Sequence, residues 1–149
     1  MSRPLCKMKL PSFFVAVALF APAASAQDAE PELDCANAVT QMEMNLCAQV
    51  DYEAADDELN RAYRAAMKVM ETTDADLGEI DPAYPGAVGA LKKAQRAWIP
   101  YRDAHCELAG FEARGGSLEP MLVSACLADL TLKRTQELEA LAAEGGSPQ

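Results

Sequence analysis

The stretch that decides the fold is LKKAQRAWIPYRDAHC, residues 91–106, which contains the only Trp and the only His of the chain. At the 100° per residue of an α-helix, its apolar side chains fall on one broad stripe together with Gln95 and Arg102. An amphipathic helix buries its apolar stripe, so Trp98 is expected to point inward. A buried guanidinium needs hydrogen-bond partners, and we expect those of Arg102 to be Asp56 and Asn60.

The same helical projection assigns the other residues of this stretch to an inner and an outer side. The inner stripe consists of Leu91, Ala94, Gln95, Trp98, Tyr101, Arg102, His105 and Cys106. A lone His on an inner stripe is predicted to be a packed core residue rather than a catalytic base. Pro100 lies on the outer side, where the hydrogen bond that it removes faces water, so we predict a kink in the helix but no break.

Helical patterns also precede this stretch. Thr40-x-x-Glu43 is a capping box, and apolar residues at helical spacing predict a first helix from there to about Met70. A second apolar strip on its N-terminal half predicts that this half is packed between two other helices; the strip consists of Met42, Leu46 and Val50. Residues 72–85, with Gly78, two prolines and four acids, are predicted to be a connection.

Two more helices complete the predicted fold. The second is expected to run from about Gly86 to about Ala113, before a Gly-Gly turn, and Ser117 is predicted to cap the third. The third helix carries Arg134 on its inner stripe, whose apolar members are Val123, Cys126, Leu127, Leu130, Leu138 and Leu141. With no strand pattern and no repeat, the sequence predicts an all-α fold, a small disulfide-stapled bundle of three main helices.

The N-terminal residues indicate export. A basic start is followed by an apolar run over residues 10–22 and by Ala24-Ser25-Ala26, a small-x-small cleavage site. Residues 1–26 are therefore predicted to be a signal peptide that is removed, and residues 27–149 a single domain with frayed ends. The apolar run is shorter than the ~20 residues that span a bilayer, so we expect a periplasmic or secreted protein without membrane insertion after cleavage.

Four cysteines remain after cleavage, and an even number in a small exported domain predicts two disulfides. Three pairings are possible. We favour Cys35–Cys47 and Cys106–Cys126, because each closes a short loop around a helix end. A zinc site is disfavoured because the sequence contains no C-x-x-C pair. No metal, no cofactor and no catalytic residue is predicted, since His105 lacks a nucleophile other than a bridged cysteine.

The charge of the mature chain points to a class of partner. Removal of residues 1–26 takes three of the 13 basic residues and none of the 23 acidic ones, which leaves ten positive and 23 negative side chains, a net charge of −13. Such a charge disfavours nucleic acid and anionic membrane surfaces and favours a cationic partner. It could equally serve only to keep the protein in solution.

Several motifs together resemble the LprI-type lysozyme-inhibitor domain family. They are A-D-x-x-L-N-x-x-Y at residues 55–63, A-Q-R-A-W-x-x-Y-R-D-x-x-C at 94–106, G-G-S at 115–117, T-x-x-R at 131–134 and the four cysteines. The resemblance covers residues 34–141 and implies an exported helical domain that inhibits lysozyme. The signature residues of this resemblance, which we interpret as structural, are Asp56, Asn60, Tyr63, Gln95, Trp98, Tyr101, Arg102 and Arg134.

Two functional hypotheses follow. The first is an inhibitor that occludes the cleft of a cationic lysozyme-type muramidase, and is not itself an enzyme. The second is a periplasmic interaction or stability module with no lysozyme activity. For the first, the candidate contact residues are Asp51, Glu53, Asp57 and Glu58 on the first helix, Asp74, Asp76, Glu79 and Asp81 in the connection, and Tyr84 as an apolar anchor.

Overall fold

A computed structural model describes residues 33–145, which form three α-helices and two short 3-10 helices. In chain order the elements are a 3-10 helix Cys35–Asn37, α1 Gln41–Ile80, α2 Ala87–Gly110, a 3-10 helix Phe111–Ala113 and α3 Glu119–Gly145. No strand occurs in this range, so the predicted all-α bundle of three main helices is confirmed. The predicted signal peptide lies outside the described residues.

The capping box starts α1 where the sequence places it. The Thr40 hydroxyl accepts a hydrogen bond from the Glu43 amide at 3.2 Å, and the Glu43 carboxylate accepts one from the Thr40 amide at 2.8 Å. The amide of Thr40, and after it that of Val39, donates to the Glu43 carboxylate and lowers its pKa. Two amides that the first helical turn leaves without a partner are thereby satisfied.

The C-terminal end of α1 differs from the prediction. The helix continues to Ile80, so the expected connection over residues 72–85 is wrong for residues 72–80, and the true connection is residues 81–86. No proline interrupts residues 71–80, and the single Gly78 costs a helix only about 1 kcal/mol. The hydroxyls of Thr72 and Thr73 donate to the carbonyls four residues earlier, which keeps both side chains compatible with the helix.

Asp74 joins this end of α1 to the beginning of α2. Its carboxylate accepts hydrogen bonds from the amides of Gly86 and Ala87, each at 2.7 Å, and of Val88 at 3.1 Å. A negative group at a helix N-terminus satisfies free amides and interacts favourably with the helix dipole. These bonds hold the pKa of Asp74 below its ordinary value, the Gly86 amide being the largest cause.

Replacing Asp74 with alanine is expected to free the first turn of α2. The amides of Gly86, Ala87 and Val88 should exchange with deuterium faster than in the wild type, whereas Asp76→Ala, in the same helix, should leave them unchanged. Because folding lowers the pKa of Asp74, its contribution is present above about pH 4 and is lost as the pH falls through the lowered value. Equal exchange in both variants would contradict this role.

The core lies between α1 and α3, with α2 packed across them. Its centre consists of Leu59, Ala62, Ala66, Leu91 and Leu138, with Tyr63, Met67, Met70 and Trp98 packed around it. Trp98 is half-buried, so it faces inward as predicted. Because α1 presents alanines to α3, the two helices can approach closely, and small side chains on α3 fit that approach.

The buried face of α3 is rotated relative to the predicted stripe. Its buried residues are Ser124, Ala128, Thr131, Thr135 and Leu138, whereas Leu141 is 37% exposed. The hydroxyls of this face have partners: Ser124 contacts Gln49, and Thr135 donates to the Thr131 carbonyl. Ser117 lies two residues ahead of α3 and offers its carbonyl to Asn45, so its predicted role as the immediate cap is wrong.

Two other predicted contacts are also wrong. The strip Met42, Leu46 and Val50 is not packed between helices but exposed, since both α2 and α3 pack on the opposite side of α1. On α2 the buried face is narrower than expected, because Tyr101 and His105 lie on the surface with their rings 5.6 Å apart. The helix passes through Pro100 without a break.

The disulfides follow the favoured pairing. Cys35 is bonded to Cys47 and Cys106 to Cys126, with Cα atoms 5.5 and 5.4 Å apart. The first holds the 3-10 helix Cys35–Asn37 against α1. The second joins α2 to α3 across a turn in which Gly115 has a positive φ of 77°, a conformation that favours glycine.

Candidate functional site

Five of the eight signature residues line one groove between α1 and α2, with a volume of about 350 Å³. They are Asp56, Asn60, Tyr63, Gln95 and Arg102, and the groove is completed by Leu59, Lys92, Arg96 and Ile99. Of the other three, Trp98 packs on Arg102 and Arg134 contacts Gln95, whereas Tyr101 lies on the surface. Residues far apart in sequence thus meet at one place.

Arg102 is the centre of this cluster, with only 8% of its side chain exposed. Its guanidinium contacts the Asp103 carboxylate at 2.8–2.9 Å and the Asp56 carboxylate at 3.4 Å. It also donates to the Thr131 hydroxyl at 3.4 Å. The cation lies over the rings of Trp98 and Tyr52, 5.1 and 5.4 Å from their centroids. Arg102 therefore contacts all three helices.

The sequence identified only part of these contacts. Asp56 is a partner of Arg102, as expected, but Asn60 donates to Asp56 at 2.9 Å and orients that carboxylate instead of meeting the guanidinium. Periodicity gave no reason to choose Thr131 or Tyr52. Burial raises the pKa of the Tyr52 phenol, and the neighbouring Arg102 cation opposes that rise.

A second arginine braces α2 against α3. The Arg134 side chain, 13% exposed, donates from Nε to Gln95 at 3.2 Å and from Nη1 to Glu137 at 2.6 Å. Within residues 33–145 no buried side-chain polar atom lacks a hydrogen-bond partner. The polar groups of both arginines are thus held by the protein itself, which is the geometry of a structural brace.

His105 and the neighbouring Cys106 do not form a base–nucleophile pair, because the Cys106 sulfur is in a disulfide. His105 is exposed beside Tyr101, and Cys106 is bridged to Cys126. Over residues 33–145, no three or more potential ligand side chains form a group that could hold a metal ion. No helix in this range has the length and hydropathy that crossing a membrane requires.

The acidic candidates for partner binding form two groups on and after α1. The N-terminal acidic cluster is Asp51, Glu53, Asp57 and Glu58, and the C-terminal acidic cluster is Asp74, Asp76, Glu79 and Asp81. Between them α1 carries three basic side chains, those of Arg61, Arg64 and Lys68, and one acidic side chain, that of Glu71. The cluster centres are about 35 Å apart along the helix. A standard interface buries about 800 Å² on each partner, which corresponds to a patch about 30 Å wide. One standard interface therefore cannot be centred on both.

The C-terminal acidic cluster is partly engaged within the protein. Asp74 caps α2, and Asp81 accepts a hydrogen bond from the Ala83 amide at 2.8 Å. Asp76 and Glu79 are exposed, and Tyr84, in the connection, is 57% exposed. Two of the four predicted acids here thus already have backbone partners.

The N-terminal acidic cluster is more accessible, since all four of its residues are exposed. Asp51 and Glu58 line an open groove of about 430 Å³ between α1 and α3, together with Asp129 of α3. Alanines form most of its floor: Ala48, Ala54, Ala55, Ala125 and Ala128. On the outer face of α1, turned away from this groove, lie Glu53, Asp57 and the exposed strip of Met42, Leu46 and Val50.

Comparison with known proteins identifies the family. Residues 34–138 match the sequence profile described as lysozyme inhibitor LprI, which is more than half of the chain. The chain belongs to the LprI family. The match includes the capping box, both disulfides and the Arg102 cluster, so the family resemblance inferred from the motifs is confirmed.

Two proteins similar to this LprI family member have no described activity. An uncharacterized protein of Rhizobium meliloti (strain 1021) is 64% identical over 118 residues, covering 79% of this chain and 85% of that protein. The uncharacterized protein YecT of Escherichia coli (strain K12) is 34% identical over 62 residues, covering 42% and 37% respectively. No solved structure matches the chain.

Proposed function

We propose that the mature domain is an exported inhibitor that binds a cationic lysozyme-type muramidase and covers its cleft. The observation that carries the proposal is the match of residues 34–138 to a family described as lysozyme inhibitor LprI. Inhibition would be steric, with no covalent step and no cofactor, and the domain would act outside the cytoplasm. The partner would be either a host enzyme or one of the cell's own wall hydrolases.

The charge of the chain supports a cationic partner. The net charge of −13 over residues 27–149 would attract a basic enzyme and speed the encounter, more strongly at low salt. The negative charge is not spread evenly. Residues 41–60 of α1 contain six acidic side chains and no basic one, while α2 contains more basic than acidic side chains. Steering would therefore bring a basic enzyme toward the N-terminal half of α1.

Within that half, the N-terminal acidic cluster is the proposed contact. Asp51 and Asp57 are exposed and have no hydrogen-bond or ion-pair partner within residues 33–145. Glu53 accepts only from Gln49, and Glu58 lies 3.9 Å from Arg61 at the surface. Surface pairs of this kind contribute little, so these carboxylates are available to a partner.

Neutralising the two unpartnered acids tests this assignment. We expect Asp51→Asn/Asp57→Asn to slow association with a cationic lysozyme several-fold at about 50 mM salt, and less at about 300 mM, where screening is stronger. The matched control is Asp76→Asn/Glu79→Gln, which removes the same charge from the C-terminal acidic cluster and should have a smaller effect. The measurement is surface-based association kinetics at both salt concentrations.

Two outcomes would contradict the assignment. An equal loss in both variants would show that only net charge matters, and no binding by the wild-type protein at micromolar concentration in low salt would remove the inhibitor proposal. The latter result would leave an interaction module with a different partner.

A further inference from the structure

We infer that the exposed apolar strip of α1, formed by Met42, Leu46 and Val50, is the surface that docks on the partner enzyme. The inference rests on the proposed function and names the interface that the function needs. The occupant is a cationic protein surface with an apolar centre. In this arrangement the strip, and not Tyr84, is the apolar anchor.

The position of the strip makes it available. At 100° per residue its three side chains lie within about 80° of one another, on the side of α1 opposite the buried Leu59 and Ala66. Met42 is 73% exposed, Leu46 49% and Val50 48%, and Val39, just before the capping residue of α1, is 83% exposed. Single exposed apolar residues are ordinary, but a contiguous row along one helix face marks an interaction surface.

The charges around the strip specify the kind of partner. Glu53 and Asp57 continue the same outer face toward the middle of α1, and no basic residue occurs between positions 41 and 60. An apolar centre with a charged rim is the usual anatomy of a protein interface, in which the centre supplies affinity and the rim supplies steering. The complementary surface is apolar at its centre and positively charged around it.

Four other exposed apolar residues, on α2 and around the connection, fit a cationic partner less well. Tyr101 and Leu108 lie on α2, which carries four basic and two acidic side chains and so offers less attraction. Ile80 and Tyr84 adjoin the C-terminal acidic cluster, where Asp74 already caps α2.

The strip also lies on a rigid support. The capping box fixes the first turn of α1, and the Cys35–Cys47 disulfide ties the preceding segment to the same helix. A face that is already ordered loses little conformational entropy on binding, which favours affinity. The structure therefore presents the strip preformed.

The test is the variant Leu46→Gln/Val50→Gln. Glutamine is a good helix former, and both sites are exposed, so the melting temperature should match that of the wild type. Binding to a cationic lysozyme, measured by titration calorimetry, is expected to weaken at least tenfold, and the loss should persist at about 300 mM salt because apolar contacts are not screened. The matched control, Ile80→Gln/Tyr84→Gln, should bind like the wild type.

The possible results separate this inference from the proposed function. If the wild-type protein binds lysozyme and Leu46→Gln/Val50→Gln binds within twofold of it, the strip is not the docking surface although the inhibitor proposal stands. If the wild-type protein does not bind, both fail. Sedimentation of the wild-type protein alone tests whether the strip binds a second copy of the chain instead. A dimer that Leu46→Gln/Val50→Gln converts to a monomer would assign the strip to that second copy and overturn the inference.

Discussion

Replacing Cys106 and Cys126 with alanine is expected to lower the free energy of unfolding by about 3 kcal/mol. In the chain-entropy model, a disulfide that closes a loop of about 20 residues restricts the unfolded chain by that amount, and the two cysteines are separated by 20 positions. Cys106 is fully buried between α2 and α3, so both ends of this bond belong to the cooperative bundle. For a domain with about 5–15 kcal/mol in total, this is a large share.

The matched control is Cys35→Ala/Cys47→Ala. Its bond closes a loop of similar size, with a separation of 12, but it holds only the exposed 3-10 helix Cys35–Asn37. That segment can detach while the three helices stay packed, so a smaller loss is expected. Urea unfolding of both double variants measures the difference, and a larger loss in the Cys35/Cys47 variant would show that this reasoning is wrong.

Arg102→Met is expected to lower the free energy of unfolding by about 2–3 kcal/mol, or the melting temperature by about 10 °C. Methionine fills a similar volume but leaves Thr131 without its partner and Asp56 and Asp103 without their cation. The two carboxylates are 39% and 54% exposed. Because water can solvate them, the loss should fall below the 3–5 kcal/mol typical of a fully buried pair.

Arg96→Met is the control for this variant, because Arg96 is exposed on the same helix and lines the same groove. Its effect should stay within about 0.5 kcal/mol. Thermal unfolding followed by circular dichroism compares the two. Equal, small shifts would mean that Arg102 does not brace the helices, and its place in the family signature would then have to reflect binding.

Local signals were sufficient for much of the fold. Three features depend on short-range geometry that can be read from a single sequence. They are the Thr40–Glu43 capping box, the helical spacing of buried positions on α1 and the pairing of Cys106 with Cys126. The inward position of Arg102 follows in the same way from its place on a helical stripe. The partner Asp56 could be named because it borders the facing stripe of α1.

The remaining features depend on tertiary context. Periodicity shows that Met42 and Leu46 share a face, but not whether another helix covers it, and in this bundle both other helices pack opposite. Thr131 and Thr135 are polar, yet both are buried because their hydroxyls have hydrogen-bond partners. The Thr131 hydroxyl accepts from Arg102, and the Thr135 hydroxyl donates to the Thr131 backbone carbonyl. The role of Asp74, which lies in the extension of α1 to Ile80, could not be predicted because its partners at the start of α2 lie 12–14 residues further on.

The most direct test of the inhibitor proposal is the lysis of a cell-wall suspension by a cationic lysozyme in the presence of the purified, oxidised mature protein. We expect lysis to slow in proportion to the protein added at about 50 mM salt, and the effect to weaken at about 300 mM. A chitin oligosaccharide that occupies the enzyme's cleft should compete with the inhibitor. Unchanged lysis at micromolar protein and about 50 mM salt would contradict it.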